Sequence, residues 1–133
     1  MAGITPDYAP HRSLGPLDFR FVDVNSMSWQ PALPGIRMKV LYKDNEAKQA
    51  VVLFEAEPGS ALPEHQHGGL EQTMVLEGSM EEDTGVCVAG DFVWRPAGSR
   101  HAVRMPHGAK YLVFFHGAVQ AIASGRQFPN FED

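Results

Sequence analysis

His65 and His67 stand two positions apart, Glu71 follows four residues later, and a third imidazole, His101, comes after the turn Pro96-Ala97-Gly98. Side chains two apart on a strand share a face, so His65 and His67 can serve one point. Gly68-Gly69 lets the chain bend and return the Glu71 carboxylate toward that point. Three neutral imidazoles and one carboxylate form a donor set of borderline hardness, suited to Fe(II), Zn(II), Ni(II) or Mn(II). The expected metal ligands are therefore His65, His67, Glu71 and His101, with Glu71 also the candidate catalytic group. A six-coordinate ion held this way keeps two adjacent positions open, for a bidentate enolate or for substrate together with O₂. One divalent metal ion is the expected cofactor. Fe(II) would add oxygenase chemistry, whereas Zn(II) offers Lewis acidity alone, and the ligand set itself does not choose between them.

The elements that must position these residues read as short strands. Pro6, Pro10 and Pro16 predict an extended N-terminal arm over residues 1–29, with one short strand at Phe19–Val24 that could add to a barrel edge. The Trp29 indole is expected to cover one barrel end. From Ile36 the pattern alternates, with Ile36, Met38, Val40 and Tyr42 on one face and Arg37, Lys39 and Lys43 on the other. Residues 50–57 return, and Pro58-Gly59 turns the chain into the histidine strand. Residues 71–77 form a further strand, with Glu71, Thr73 and Val75 on the ligand side. Glu81-Glu82-Asp83-Thr84-Gly85 reads as a solvated acidic hairpin tip. Residues 86–88, 92–95 and 111–116 are the remaining strands, and the tail packs through Phe128 and Phe131. No stretch has a 3.6-residue period, and turns recur at the spacing of a sandwich or barrel.

Composition narrows the function classes. A chain of 133 residues is one domain with room for a core. Net charge of -5 without a Lys/Arg cluster argues against a nucleic-acid partner. No apolar run reaches membrane-spanning length, and the N-terminus lacks a signal-peptide pattern. One cysteine, Cys87, suits a reducing cytoplasm and is expected to be a buried inert thiol.

Gly59, His65, His67, Glu71 and Gly78 resemble the first signature motif of the cupins at every spacing, and Gly90, Pro96, Gly98 and His101 resemble the second. Met105 stands where the family's second motif has an Asn, a residue that is not a metal ligand. The resemblance covers roughly residues 30 to 120 and implies an all-β fold, a single-domain conical antiparallel jelly-roll barrel with the metal inside. The barrel is assigned to residues 30–121 and a C-terminal tail to 122–133. His65 to Gly78 is similar to the ChrR-type branch in particular, as are Trp29-x-Pro31 and Asp83-Thr84-Gly85. That branch includes zinc-binding cupin domains of anti-sigma factors and small stand-alone dioxygenases that cleave diketones or hydroxyaryl ketones. A Pro-rich arm precedes the barrel here and the sole cysteine lies within it, so the resemblance implies an Fe(II)-dependent dioxygenase, with Fe(II) the favoured ion, and a non-catalytic metal-binding or sensory module as the alternative.

The expected partner is a small-molecule substrate, with Phe54, Met105 and Phe114 as candidate substrate contacts. His116 is a candidate for the cavity or for supporting a ligand, whereas Arg104, Glu64, His11 and His107 read as surface residues. A homodimer is expected, with the apolar arm covering a barrel edge of its partner.

Overall fold

The computed structural model describes residue 17 and residues 19–132. Within them lie eleven strands and one 3-10 turn, Val24–Ser26. The strands are β1 (Gln30–Leu33), β2 (Ile36–Asp44), β3 (Gln49–Ala56), β4 (Ser60–His67), β5 (Glu71–Glu82), β6 (Gly85–Val88), β7 (Phe92–Arg95), β8 (Arg100–Met105), β9 (Ala109–His116), β10 (Val119–Ala121) and β11 (Gln127–Phe128). Neighbours run β1-β2-β3-β9-β5-β8-β4-β10-β11, with β6 and β7 also paired to β5, and every pairing is antiparallel. This is a jelly-roll barrel.

The barrel closes because β5 belongs to both sheets. Its first part pairs with β9 and β7, and its last residues pair with β6 and β8. The crossing comes at Gly78, which has φ 72° and whose missing Cβ would lie 2.1 Å from the Gly108 carbonyl oxygen. Only glycine tolerates both the backbone and the approach.

Period-2 alternation fills the interior. On β3 the inward residues Ala50, Val52, Phe54 and Ala56 are all buried, and on β9 so are Tyr111, Val113 and Phe115. Each fully buried Val, Ile or Phe is worth about 1.5–3 kcal/mol. Val75 and Val103 complete the wall from β5 and β8.

Local features depart from strict alternation. A register shift between Val40 and Tyr42 moves Tyr42 off the Ile36 face onto the outer face with Arg37 and Lys39, and buries Lys43. One extra residue reverses the alternation, so the expected pattern fails at the bulge. Residues 19–23 form no strand, and Phe19 and Phe21 are exposed with their rings edge to face. The rest of the expected arm, residues 1–16 and 18, lies outside the described residues. Trp29 lies under the Arg37 and Lys39 cations, which stand 4.6 and 4.5 Å from its ring centre. That contact places the indole on the outer face of β2, because a ring there gains from both cations. Beyond residue 121 the sheet continues through β11, and Phe131 is buried in the core.

Candidate metal centre

Three strand positions bring the histidines together. His65 and His67 lie on β4, and His101 on β8 is the direct cross-strand partner of His65. The register between these strands shifts between Leu62 and His65, across Pro63-Glu64. Leu62 and His65 are three apart, so an unbroken strand would turn them to opposite faces. The bulge lets both line the cavity, at a proline that has no N–H for the ladder. The ring centres of His65 and His101 are 4.5 Å apart, and both are 5.0 Å from that of His67. One nitrogen from each ring falls within 4.8 Å of the others.

The return from β4 to β5 passes through Gly68-Gly69 for lack of space. A Cβ on Gly68 would stand 2.5 Å from the Ala118 carbonyl oxygen, and one on Gly69 would stand 1.6 Å from that of His116. Neither glycine needs a left-handed φ. The loop is pressed against the backbone after β9, and this sets where Glu71 begins.

Hydrogen bonds orient two of the rings. His65 Nδ1 donates to the Pro63 carbonyl at 2.9 Å, and His101 Nδ1 donates to Glu82 Oε2 at 3.0 Å. In a neutral ring each bond leaves the Nε2 lone pair free to ligate, with the carboxylate partner raising ligand basicity. Arg95 donates to the other oxygen of Glu82 and so fixes that carboxylate in turn. Glu82 ends β5 with its side chain largely buried, in contrast to the solvated tip expected of the acidic run; the strand simply runs further than its composition implies. Glu81 and Asp83 flank it, so the sequence carried no signal that set Glu82 apart from its neighbours. The exposed pair Arg104–Asp83 is what remains at the tip.

His67 is 1% exposed, and neither of its ring nitrogens has a hydrogen bond among the described residues. Its Nδ1 approaches Glu71 Oε2 to 3.1 Å, without the alignment of a hydrogen bond. His101 Nε2 is likewise buried without a partner. Burying such groups costs free energy unless something satisfies them. Converging ring nitrogens are satisfied by a cation, so these residues fit a divalent metal. Glu71 lies beside His67 rather than within the three-nitrogen cluster; its Oε1 accepts from Thr73 Oγ1 at 3.5 Å.

Burial lowers the His65 pKa, and His67 and Arg95 lower it further against the opposing Pro63 bond. Burial, Arg95 and His65 together push His101 down to about 4. Both rings are therefore neutral at pH 7, as ligation requires.

The rings open onto a cavity of about 330 Å³ with mostly apolar walls. Phe54 lines it, with Tyr111, Val113, Phe115, Val103 and Phe128. Met105 is instead fully buried in the core, and Phe114 points outward from β9 and is 37% exposed. His116 and His107 are exposed, as are Arg104 and Glu64; His11 lies outside the described residues. Cys87 lines the cavity half-buried rather than fully buried as expected, because β6 turns it inward beside the site. Burial raises its pKa, with Asp91 adding to the effect.

The family model described as the ChrR Cupin-like domain matches residues 18–120. The chain belongs to this cupin family. Over 68 residues this cupin is 32% identical to the anti-sigma-E factor ChrR of Cereibacter sphaeroides, a stretch that is 51% of this chain and 31% of that protein. The chain thus matches under a third of the length of this relative. Among solved structures, the cupin resembles a candidate acetylacetone dioxygenase of Methylibium petroleiphilum PM1, with TM-score 0.77 and 20% identity over 88% of this chain and 90% of that one. An acetylacetone dioxygenase of Acinetobacter johnsonii gives TM-score 0.71 and 19% identity over 92% and 89%. The Rhodobacter sphaeroides SigE complex with anti-sigma ChrR gives 0.62 and 24% over 69% and 51%. These likenesses establish the fold. No helix among the described residues is long and apolar enough to cross a membrane.

Proposed function

We propose that this cupin is a metal-dependent dioxygenase that holds Fe(II) and cleaves a carbon–carbon bond of a small diketone or hydroxyaryl ketone. One observation carries the reading: buried histidine nitrogens without a hydrogen bond among the described residues converge at the wall of an apolar cavity sized for a small ligand. The resemblance to structures named for acetylacetone dioxygenase activity, along most of both chains, supports the same reading.

His65, His67 and His101 would hold the ion, and we assign Glu71 as fourth ligand and as acceptor of the proton that a diketone loses on becoming an enolate. Bound Fe(II) would supply Lewis acidity toward the enolate and an electron for O₂. Glu82 keeps His101 aimed, and Arg95 keeps Glu82 in place. The apolar wall of Phe54, Val113 and Phe115 excludes water and takes the hydrocarbon part of the substrate.

O₂ uptake by Fe(II)-loaded protein across 1,3-diketones and hydroxyacetophenones tests the proposal. Turnover of at least one compound is expected. Uptake no faster than the protein-free control with every compound, at full iron occupancy, would defeat it. The 32% identity to ChrR favours one second reading, a non-catalytic metal-binding module with a protein partner. A homodimer belongs to the proposal, since Leu17, Phe19 and Phe21 leave apolar surface that a second copy would cover. Light scattering of a chain lacking residues 1–28 would report a monomer. A lone free thiol supports a cytoplasmic setting.

A further inference from the structure

The row of side chains that starts at the metal centre continues past it. His101 on β8 pairs with His65 on β4, and His65 pairs with Ala121 on β10. The β10–β11 hairpin carries the row one step further. Val119 and Gln120 pair with Phe128 and Gln127, and the Ala121 N–H donates to the Arg126 carbonyl at 2.9 Å, so Arg126 stands opposite Ala121. Directly opposed residues of an antiparallel pair project from the same face. His101, His65, Ala121 and Arg126 therefore share the inner face, and all four line the cavity. Two strand spacings separate His65 from Arg126, roughly 10 Å between backbones. Only the Ala121 methyl lies between them, so the cavity runs from the imidazoles to the arginine.

The backbone of Arg126 is fixed, because its N–H donates to Ser124 Oγ at 3.2 Å and its carbonyl accepts from Ala121. The side chain is exposed and its guanidinium has no ion pair among the described residues. Other charges around the cavity are engaged. Arg95 holds Glu82, Glu82 holds His101, and Glu71 lies beside His67. Glu81 stands opposite the exposed Arg104, on the outer side of β8. Arg126 is thus the cavity's unpaired cation, at the far end of an apolar space from the histidines. A guanidinium stays protonated and offers a planar fork of donors that matches a carboxylate.

We propose that Arg126 selects substrates that carry a carboxylate, pairing with that group while the ketone oxygens lie at the histidine end. This rests on the dioxygenase reading and deepens it. The substrate class becomes a 1,3-diketone with an acidic group on a short carbon chain, and the chain passes over Ala121.

Zn(II)-loaded protein is the form to test, because zinc has no redox step and leaves the diketone intact. The probes are 4,6-dioxoheptanoate and its methyl ester, which share the diketone and differ in the distal charge. Titration calorimetry should show the native chain binding the acid at least about tenfold more tightly than the ester, as a charge-assisted hydrogen bond implies. Raising the ionic strength should shrink that preference, since the arginine is exposed. Arg126→Gln should bring the acid down to the affinity of the ester and leave the ester where it was. Zinc content and melting temperature should not change, because the side chain packs against nothing it would leave unpaired. Equal affinity of the native chain for acid and ester would overturn the role of Arg126 and leave the dioxygenase reading standing. A preference for the acid that survives in Arg126→Gln would overturn it as well. Failure of the native, zinc-loaded chain to bind either compound would overturn both readings.

Discussion

The two walls of the cavity are built on opposite principles. On the β4–β8 side, polar groups are dense and braced: His65 by the Pro63 carbonyl, His101 by Glu82, and Glu82 by Arg95. On the β3–β9 side, Phe54, Val113 and Phe115 offer only packing, and the buried Tyr111 hydroxyl has no hydrogen-bond partner among the described residues. Pre-set rings suit a cation, whose geometry must be met before it binds. A wall of rings and methyl groups suits a ligand recognised by shape, with few polar contacts to fix its orientation. On the proposed reading, one barrel separates holding the metal from choosing the ligand.

Breaking the braced wall should have the largest effect. His65→Ala or His101→Ala is expected to abolish stoichiometric metal binding in elemental analysis, with the strand signal in circular dichroism retained. Retained metal in both variants would erase the distinction between the walls. On the other side, Phe54→Ala should leave metal content intact but cost about 3–5 kcal/mol in denaturant unfolding, as for other large core rings. Glu82→Gln should lower metal affinity by about tenfold or more in chelator competition, because it removes the charge that orients His101. Unchanged affinity would reduce Glu82 to a carboxylate that neighbours His101 without orienting it for a metal.

Acidification sharpens the same contrast in the metal-free protein. His101 and His65 have folded pKa values below the unfolded imidazole value of 6.5, so the unfolded chain binds more protons as pH falls. Stability is fully present above about pH 6.5 and declines toward pH 4, the folded value of His101. Denaturant midpoints across that range should fall, and His101→Ala should flatten the decline. The smallest effect is expected at the hairpin tip, where Arg104→Ala removes an exposed pair with Asp83 and should leave the midpoint unchanged.

Most of the braced wall was legible before folding. His65 and His67 share a face through strand periodicity alone, and Gly98 marks a turn with positive φ. Glu82 was not legible, because an acidic run at a hairpin looks the same in sequence whether it is solvated or turned inward. Tyr42 and Lys43 were misplaced by a bulge, which local pattern does not announce. The apolar wall was only partly readable. Phe54 lines the cavity, whereas Met105 and Phe114 do not, since a hydrophobic residue reads alike in core, pocket and outer face.

By itself, the order of residues determined an all-β chain of the cupin type and the three imidazoles that converge, because period-2 alternation and fixed spacings are local and survive without knowledge of the fold. Tertiary structure alone decided which carboxylate braces which ring, and that the bulge at Pro63-Glu64 turns His65 inward beside Leu62. Those outcomes depend on cross-strand register between segments far apart in the chain, and register is set only when the whole barrel closes.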